Sequence, residues 1–228
     1  FTYTGSQITP SIRSVTYGNY TLASNDTYSI SYGTNTNVSE GGTITITSTG
    51  SNFIGSQEVP FTIQQKDISK SGLAFANDIL LSVGGESVTS IPTQSYTGTN
   101  ITPEVLLQYK VSANDTKELA LNTDYTVLVE DNIDPGIATM TFTGIGNYTG
   151  TVKQNFTIAR NISSATVEGI EETYPYTGNE IKVEDNLKVS LIGSDGDPYQ
   201  LDAADYNVTY KDNVKAGTAT VTISGNEK

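Results

Sequence analysis

Polar and apolar residues alternate along many short stretches of the chain, and clusters of Gly, Asn, Asp and Pro separate these stretches. The clearest alternating stretches are residues 43–47, 138–143 and 219–223. Successive side chains of a strand point to opposite faces, so the pattern predicts half-buried strands joined by short turns. In the first stretch Ile44 and Ile46 would face the core and the threonines would face solvent. The pattern therefore predicts an all-β chain.

A set of motifs recurs three times in the same order, which indicates an internal repeat. The first motif is Tyr-Thr-Gly followed by Ile, in Tyr3-Thr4-Gly5 with Ile8, Tyr96-Thr97-Gly98 with Ile101, and Tyr176-Thr177-Gly178 with Ile181. A Leu ahead of an Asp and a Tyr comes next, in Leu22, Asp26 and Tyr28; Leu121, Asp124 and Tyr125; Leu201, Asp205 and Tyr206. An Asn four residues before a Gly follows, in Asn37 and Gly41; Asn132 and Gly136; Asn213 and Gly217. The second copy then has Asn147-Tyr148-Thr149-Gly150 and a last strand at 156–158, and the third copy stops before such a strand.

The distance between copies is that of a small domain rather than of a solenoid turn. We therefore predict three modules, 1–66, 67–160 and 161–228, and expect the first to lack N-terminal residues and the third to lack C-terminal residues. Six or seven short strands in each module favour a two-sheet sandwich. The linkers are short and contain no Pro-Gly-Ser tracts, so we expect an extended, semi-rigid array.

The second module contains extra residues between 77 and 92. Apolar positions alternate with serines on both sides of Gly84-Gly85, and Gly-Gly is typical of a two-residue hairpin turn. The segment predicts an added, ordered hairpin that extends one sheet of the module or braces the joint with the first module. We prefer the bracing role to ligand binding, because the segment lies near the start of its module.

These motifs resemble a repeat found in large surface proteins of Firmicutes, the bacterial immunoglobulin-like stalk and adhesin repeats. The second module matches the pattern over nearly its whole length, including Gly144-Ile145-Gly146 before Asn147. The first module departs from it at residues 49–55. The resemblance implies tandem immunoglobulin-like β-sandwich modules on an exported protein, in a family with few assigned activities.

Composition narrows the chemistry of the chain. There are no Cys and no His, which excludes thiol nucleophiles, disulfides, His-dependent triads and zinc sites of the usual Cys/His type. The net charge of −13 opposes binding to nucleic acid. No apolar run reaches the length of a membrane span, so we expect no membrane contact within these residues. We also expect a monomer.

The repeated aromatic and glycine positions have two interpretations, a sugar-binding platform or an architectural role. We favour the architectural role, in which each aromatic ring closes one end of a sandwich and each Gly takes a turn conformation with positive φ. The positions concerned are Tyr3, Gly5, Tyr28, Tyr96, Gly98, Tyr125, Asn147, Tyr148, Gly150, Tyr176, Gly178 and Tyr206.

Three kinds of chemistry are alternatives to the architectural role. Asp195 and Asp197, with Asp202 and Asp205 nearby, could supply oxygen ligands to calcium, although Asp-Gly is first of all a turn sequence and the spacing is not that of an EF-hand. Carboxylate pairs could serve glycoside hydrolysis, but here they fall in the turns of repeated modules. Lys153 could form an isopeptide bond with Asn132 or Asn155 if it were buried. We predict no catalytic residues and no cofactor.

The sequence thus predicts a non-catalytic spacer segment of a cell-surface or secreted adhesin-like protein, located outside the cell. The alternative is a carbohydrate- or protein-binding module accessory to a surface enzyme. Partners would be host or cell-wall glycans, or surface proteins, bound through flanking domains.

Overall fold

The structure is a computed structural model, and it describes residues 1–23, 27–193 and 196–226. By internal contacts the chain divides into two compact units. The first unit comprises Phe1–Ile91, Pro103–Glu130 and Thr139–Phe156, and the second comprises Pro92–Thr102, Asp131–Ala138 and Thr157–Lys228. The predicted division into three modules stays a prediction, and we refer below to 1–66, 67–160 and 161–228 as copies one, two and three.

Copy one is built on a three-stranded antiparallel sheet. Its strands are β1 (Val15–Tyr17), β2 (Tyr20–Leu22), β3 (Tyr28–Tyr32), β4 (Gly42–Ser48) and β5 (Ser56–Phe61). β4 lies between β3 and β5, and β1 and β2 form a separate hairpin. In β4, Ile44 is buried, Ile46 is half-buried like Thr43 and Thr45, and Thr47 is exposed, because successive side chains of a strand point to opposite faces.

Copy two contains two four-stranded sheets. Its strands are β6 (Lys66–Asp67), β7 (Ser69–Ser71), β8 (Ala74–Phe75), β9 (Ile79–Val83), β10 (Glu86–Val88), β11 (Gln94–Ser95), β12 (Val105–Ser112), β13 (Asp115–Glu118), β14 (Tyr125–Glu130), β15 (Gly136–Gly144), β16 (Tyr148–Thr149) and β17 (Thr151–Ala159). One sheet has the order β10-β9-β12-β13 and the other has the order β11-β17-β15-β14. β7 pairs with β8, and β16 pairs with β6.

Copy three contains five strands among its described residues. Its strands are β18 (Thr166–Glu168), β19 (Lys188–Ile192), β20 (Pro198–Gln200), β21 (Tyr206–Lys211) and β22 (Thr220–Gly225). The first three form one sheet in the order β18-β19-β20, and β21 pairs with β22. Short 3₁₀ turns lie at Ile162–Ser164 and Ala203–Asp205.

The alternating pattern correctly predicts an all-β chain. Strands account for nearly all the regular structure of the described residues, and the two 3₁₀ turns are its helical elements. None of the helices in this part of the chain is long and apolar enough to cross a membrane. The buried apolar side chains are most numerous in copy two, where β12, β15 and β17 each bury alternate residues.

The predicted hairpin at 77–92 is present, as β9 and β10. Val83 pairs with Glu86 around Gly84 and Gly85, and both glycines have positive φ, as a two-residue turn of this kind requires. β9 also pairs with β12, so the hairpin extends a sheet. β9 has a counterpart in copy three, since β18 pairs with β19 there as β9 pairs with β12 in copy two. Only β10 is therefore additional in copy two.

The predicted repeat assigns the wrong leucine in copy two. Leu121, which the spacing aligns with Leu201, is 52% exposed, whereas Leu119 is 1% exposed. The amide of Leu119 donates to Leu107 O, and the amide of Leu201 donates to Val189 O at the same position of the neighbouring strand. Leu119 is therefore the counterpart of Leu201, and the loop between Leu119 and Tyr125 is one residue longer than its counterpart.

Candidate functional site

An asparagine and an isoleucine make the same pair of contacts in all three copies. In copy two the backbone amide of Ile101 donates to Asn132 O (2.8 Å), and the Asn132 side chain donates to Ile101 O (2.8 Å). Copy three repeats the pair between Ile181 and Asn213 at 3.1 and 2.9 Å. We call this pair of hydrogen bonds the asparagine clamp. It ties the Tyr-Thr-Gly segment to the loop that precedes the alternating strand.

In copy one the clamp is made by Asn35 and not by Asn37, which the spacing to Gly41 singles out. The side-chain amide nitrogen of Asn35 donates to Ile8 O (3.1 Å) and to Thr43 O (3.0 Å), and Asn35 Oδ1 accepts from the Thr43 amide (2.7 Å). The Ile8 amide completes the clamp on Asn35 O at 2.9 Å. Asn35 is 2% exposed and has a φ of 46°, a conformation that asparagine tolerates better than most residues.

The Tyr-Thr-Gly motif forms one local turn three times. In each copy the Thr hydroxyl donates to the carbonyl oxygen two residues on, and it accepts from the amide of that residue. The pairs are Thr4 and Ser6, Thr97 and Thr99, and Thr177 and Asn179. The glycine between them has φ of 80° in Gly5 and 76° in Gly98 and Gly178, where a side chain would be strained.

The repeated tyrosines differ in their burial. Tyr28 and Tyr125 are buried and Tyr206 is half-buried. Among the tyrosines of the Tyr-Thr-Gly motif, Tyr3 is buried, Tyr96 is half-buried and Tyr176 is 69% exposed. Burial raises the pKa of Tyr125 above its ordinary value, because the ionised phenolate would lose hydration.

The Gly-Asn-Tyr segment of copy two joins the residues that connect copies one and two. β16 pairs in parallel with β6, with Tyr148 opposite Lys66. The Gln65 side chain donates to Gly146 O and Tyr148 O at 2.9 and 3.0 Å. The Tyr148 ring is buried and packs edge-on against Tyr3, with ring centroids 5.3 Å apart. Its burial raises its pKa strongly.

Asn147 extends this joint to a loop of copy one. Its Oδ1 accepts from the Val38 amide (2.8 Å), and its side-chain N–H group donates to Asn37 Oδ1 (3.1 Å). Its own carbonyl accepts from the Lys66 amide (2.9 Å). Gly150, which ends the segment, has a φ of 90°, and a Cβ there would collide with the carboxylate of Asp67. Backbone and side-chain amide groups thus hold together three parts of the chain: the segment 146–150, the connecting residues 65–67 and the loop at 37–38. We call this set of residues the first joint.

Lys66 adds a charged contact to the first joint. Its ammonium group lies 2.5 Å from Asp78 Oδ2 and 4.7 Å from the centroid of the Tyr109 ring. The Lys66 side chain is only 14% exposed, so the ion pair and the aromatic face replace most of its hydration. Asp78 immediately precedes β9, which places one end of the predicted hairpin at the joint. The sequence did not predict these contacts of Lys66, because a single Lys in a short linker has no pattern that distinguishes it.

A second cation lies between two aromatic rings in the second unit. The Arg160 guanidinium group is 5.0 Å from the Tyr96 ring centroid and 4.8 Å from the Tyr199 ring centroid. Tyr96 belongs to the Tyr-Thr-Gly motif of copy two, and Tyr199 belongs to β20 of copy three. Burial raises the pKa of Tyr199, and among the described residues its hydroxyl oxygen has no hydrogen-bond partner.

Copy three carries an open groove of about 390 Å³. Its lining includes residues 170–174, Tyr176, Ala219 and, in β22, Val221. Tyr210 also lines the groove; it donates to Glu184 Oε2 (2.5 Å) and accepts from the Val183 amide (2.9 Å). The hydrogen bond from Tyr210 lowers the pKa of Glu184. These bonds connect β21 to residues 183 and 184.

The candidate ligands for calcium are only partly described. Asp195 lies outside the described residues, while Asp197 is exposed and lies with Gly196 in the turn between β19 and β20. Gly196 has a φ of 85°, in agreement with the expected Asp-Gly turn. The residues that the structure describes contain no group of three or more acidic side chains placed to hold a metal ion. The calcium site stays a prediction.

The isopeptide hypothesis fails on burial. Lys153 is exposed on β17, and its backbone amide donates to Gly72 O. Asn155 is also exposed and accepts a hydrogen bond from the Thr139 hydroxyl at 3.2 Å. The bond requires a Lys shielded from water beside its acceptor, and Lys153 does not meet this condition.

The chain matches none of the protein-family models, none of the curated proteins and none of the solved structures.

Proposed function

We propose that this chain is a non-catalytic spacer segment of an extracellular, adhesin-like protein, built from tandem immunoglobulin-like sandwich modules arranged in a row. The observation that carries the proposal is the first joint. A spacer must resist bending between its modules, and the first joint contains a parallel strand pair, the amide contacts of Asn147 and the half-buried Lys66.

The structural roles of the repeated residues support the same proposal. The asparagine clamp and the local turn of the Tyr-Thr-Gly motif occur in all three copies, so the same contacts within the fold recur in each copy. A recognition surface would instead present these residues to solvent in each copy. Tyr125 and Tyr148 are fully buried in copy two, which matches the repeat pattern most completely.

Small-angle X-ray scattering tests the arrangement in a row. A compact globule of this length has a radius of gyration of roughly 17 Å, and three modules in a row give a much larger value. A measured value near the compact figure would end the spacer proposal.

Pulsed electron resonance tests the stiffness of the first joint. The chain has no Cys, so Ser51→Cys and Lys117→Cys place two spin labels uniquely, on exposed residues of copies one and two. We expect a narrow distance distribution that broadens when Asn147→Ala is added. Asn155→Ala, an exposed asparagine away from the joint, serves as the control and should leave the width unchanged. A distribution that is already broad in the parent protein contradicts a stiff joint.

One observation favours glycan binding as a second candidate function. Tyr17 and Tyr20 face each other across the β1–β2 hairpin and are 69% and 75% exposed. The ring centroids of Phe53 and Tyr17 are 5.7 Å apart. Exposed aromatic faces are suited to packing against sugar rings. Glycan-array binding that is lost in Tyr20→Ala, and retained in Leu73→Ala at a comparably exposed apolar residue, would establish this function in place of a plain spacer.

A further inference from the structure

Among the described residues, three parallel strand contacts join segments that are far apart in the sequence. Most other strand pairs of the chain are antiparallel. In copy one Thr2 lies beside Gln64, in copy two β6 pairs with β16, and β11 pairs with β17. We call these the first, second and third parallel pairs. Each of them lies where the chain enters or leaves a copy.

The first parallel pair is held by backbone hydrogen bonds in both directions. The Tyr3 amide donates to Gln64 O (2.9 Å), and the Gln64 amide donates to Phe1 O (2.7 Å). Tyr3 and Ile63 are both buried, so each of the two segments is anchored in the core beside these bonds. Successive side chains of a strand point to opposite faces, and a slip of one residue would therefore turn Ile63 out of the core.

The second parallel pair begins two residues after Gln64. The Lys66 amide donates to Asn147 O and the Ile68 amide donates to Thr149 O, both at 2.9 Å. Ile68 is buried completely, so this pair is also anchored in the core. One continuous segment of the chain therefore takes part in both parallel pairs.

The direction of the strands decides how a tensile load acts on the first parallel pair. In two parallel strands, the N-terminal end of one strand and the C-terminal end of the other lie at opposite ends of the pair. Tension along the chain pulls residues 1–3 towards the N-terminal side and residues 62–64 towards the C-terminal side. The two strands are pulled past each other, and their hydrogen bonds carry the load together. Strands pulled apart from one end would instead lose these bonds one at a time.

Copy two is loaded in the same way. The load reaches β6 at its N-terminal end, while β16 is followed, after Gly150, by β17, which ends where the chain leaves the copy. β16 is therefore loaded from its C-terminal end, and it is pulled past the parallel strand β6. β17 is pulled at its own C-terminal end past β11, to which it is bound by the Tyr96 amide and Ala159 O at 2.8 Å.

We propose, on the basis of the spacer function proposed above, that the parallel pairs make copies one and two resist unfolding under tension along the chain. A spacer that holds a bound partner away from a surface carries load along its length. Unfolding by force requires the bonds of a parallel pair to break together, whereas stability in urea depends on the whole core. Forced unfolding is governed by the unfolding barrier, so the two properties should respond to different residues.

Single-molecule force spectroscopy on the full chain tests the geometry without a destabilising change. One handle precedes Phe1, and the other is attached either at the C-terminus or at a Thr62→Cys substitution on an exposed residue. The chain has no Cys, so this attachment is unique. The C-terminal handle pulls the strands of the first parallel pair past each other, and the handle at 62 pulls them apart from their N-terminal ends. Unfolding of copy one lengthens the chain by about 200 Å, which identifies the event.

We expect copy one to unfold at less than half the force when the second handle is at position 62. Gln64→Pro tests the same pair with both handles at the chain ends, because Pro removes the amide that donates to Phe1 O. Ile44→Val is the matched control, since it trims a buried side chain of copy one away from the pair. Gln64→Pro should unfold copy one at less than half the parent force, and Ile44→Val should retain roughly three quarters of that force or more.

Equal forces in the two handle arrangements would overturn the proposal. So would equal losses of force in Gln64→Pro and Ile44→Val when urea unfolding shows that both are folded. These outcomes are separate from failure of the spacer function, which the radius of gyration measures. An extended chain with equal forces would be a spacer without adaptation to load, and a compact chain with unequal forces would keep the load-bearing pairs and lose the spacer function.

Discussion

The asparagine clamp of copy one provides the sharpest test of an architectural role for the repeat. Replacing Asn35 with Ala removes two donated bonds and one accepted bond, which leaves Ile8 O and the Thr43 amide without these partners, while Thr43 O keeps the Gly33 amide as a donor. An unsatisfied buried polar group costs about 1–3 kcal/mol, and the losses are not fully additive because two of them lie on Thr43. We expect Asn35→Ala to lower the free energy of unfolding by about 3–5 kcal/mol.

Part of this loss comes from the backbone, and a second variant separates it. Asn35 has a φ of 46°, where Ala is strained by about 1–2 kcal/mol and Gly is not. Asn35→Gly loses the same side-chain bonds without this strain, so it should be about 1 kcal/mol less destabilised than Asn35→Ala.

Urea unfolding followed by circular dichroism gives the free energies, and hydrogen exchange at β4 shows whether the loss is local. Asn155→Ala is the matched control, since it removes one exposed hydrogen bond and should stay within about 0.5 kcal/mol of the parent protein. If Asn35→Ala unfolds with the same free energy as this control, the clamp contributes no stability and the architectural interpretation of the repeat is wrong.

Three further changes test other parts of the structure. Asn147→Ala should lower the stability of the first unit by about 1–3 kcal/mol in thermal unfolding, because the Val38 amide loses its acceptor; no change relative to Asn155→Ala would contradict the joint. Tyr125→Ala should cost about 3–5 kcal/mol in urea unfolding, against less than about 0.5 kcal/mol for the exposed Tyr20→Ala, and equal losses would refute a core role. The pKa of Tyr148 is raised by burial above the ordinary 10.0, so its stabilising contribution is complete below that pH and is lost as the pH rises further. Between pH 8 and 11 Tyr148→Phe should therefore lose about 1 kcal/mol less stability than the parent protein, and parallel pH profiles would contradict this.

Much of the fold could be predicted from the alternation of side chains and from turn chemistry. The two-residue turn at Gly84-Gly85 and the alternating strands follow from local preferences, which a single sequence displays directly. The repeat also located Asn132 and Asn213 correctly, because their spacing to a following Gly is the same in both copies.

Long-range contacts could not be predicted in this way. In copy one the spacing selected Asn37, but the residue that the loop turns inward is Asn35, and only its partners Ile8 and Thr43 distinguish the two. The Lys66 ion pair with Asp78 and the rings around Arg160 likewise depend on which strands become neighbours in space. No periodicity in the sequence encodes these contacts.

The parallel pairing of β16 with β6 has a consequence for the order of folding during synthesis. Gln65 and Tyr148 are separated by 83 positions, and Asn37 and Asn147 by 110. At bacterial and eukaryotic elongation rates of about 5–20 residues per second, copy one leaves the ribosome roughly 4–20 s before its partners at the joint exist. Copy one must therefore remain soluble with Tyr3 uncovered for that interval, and the joint can close only after nearly all of copy two has been translated.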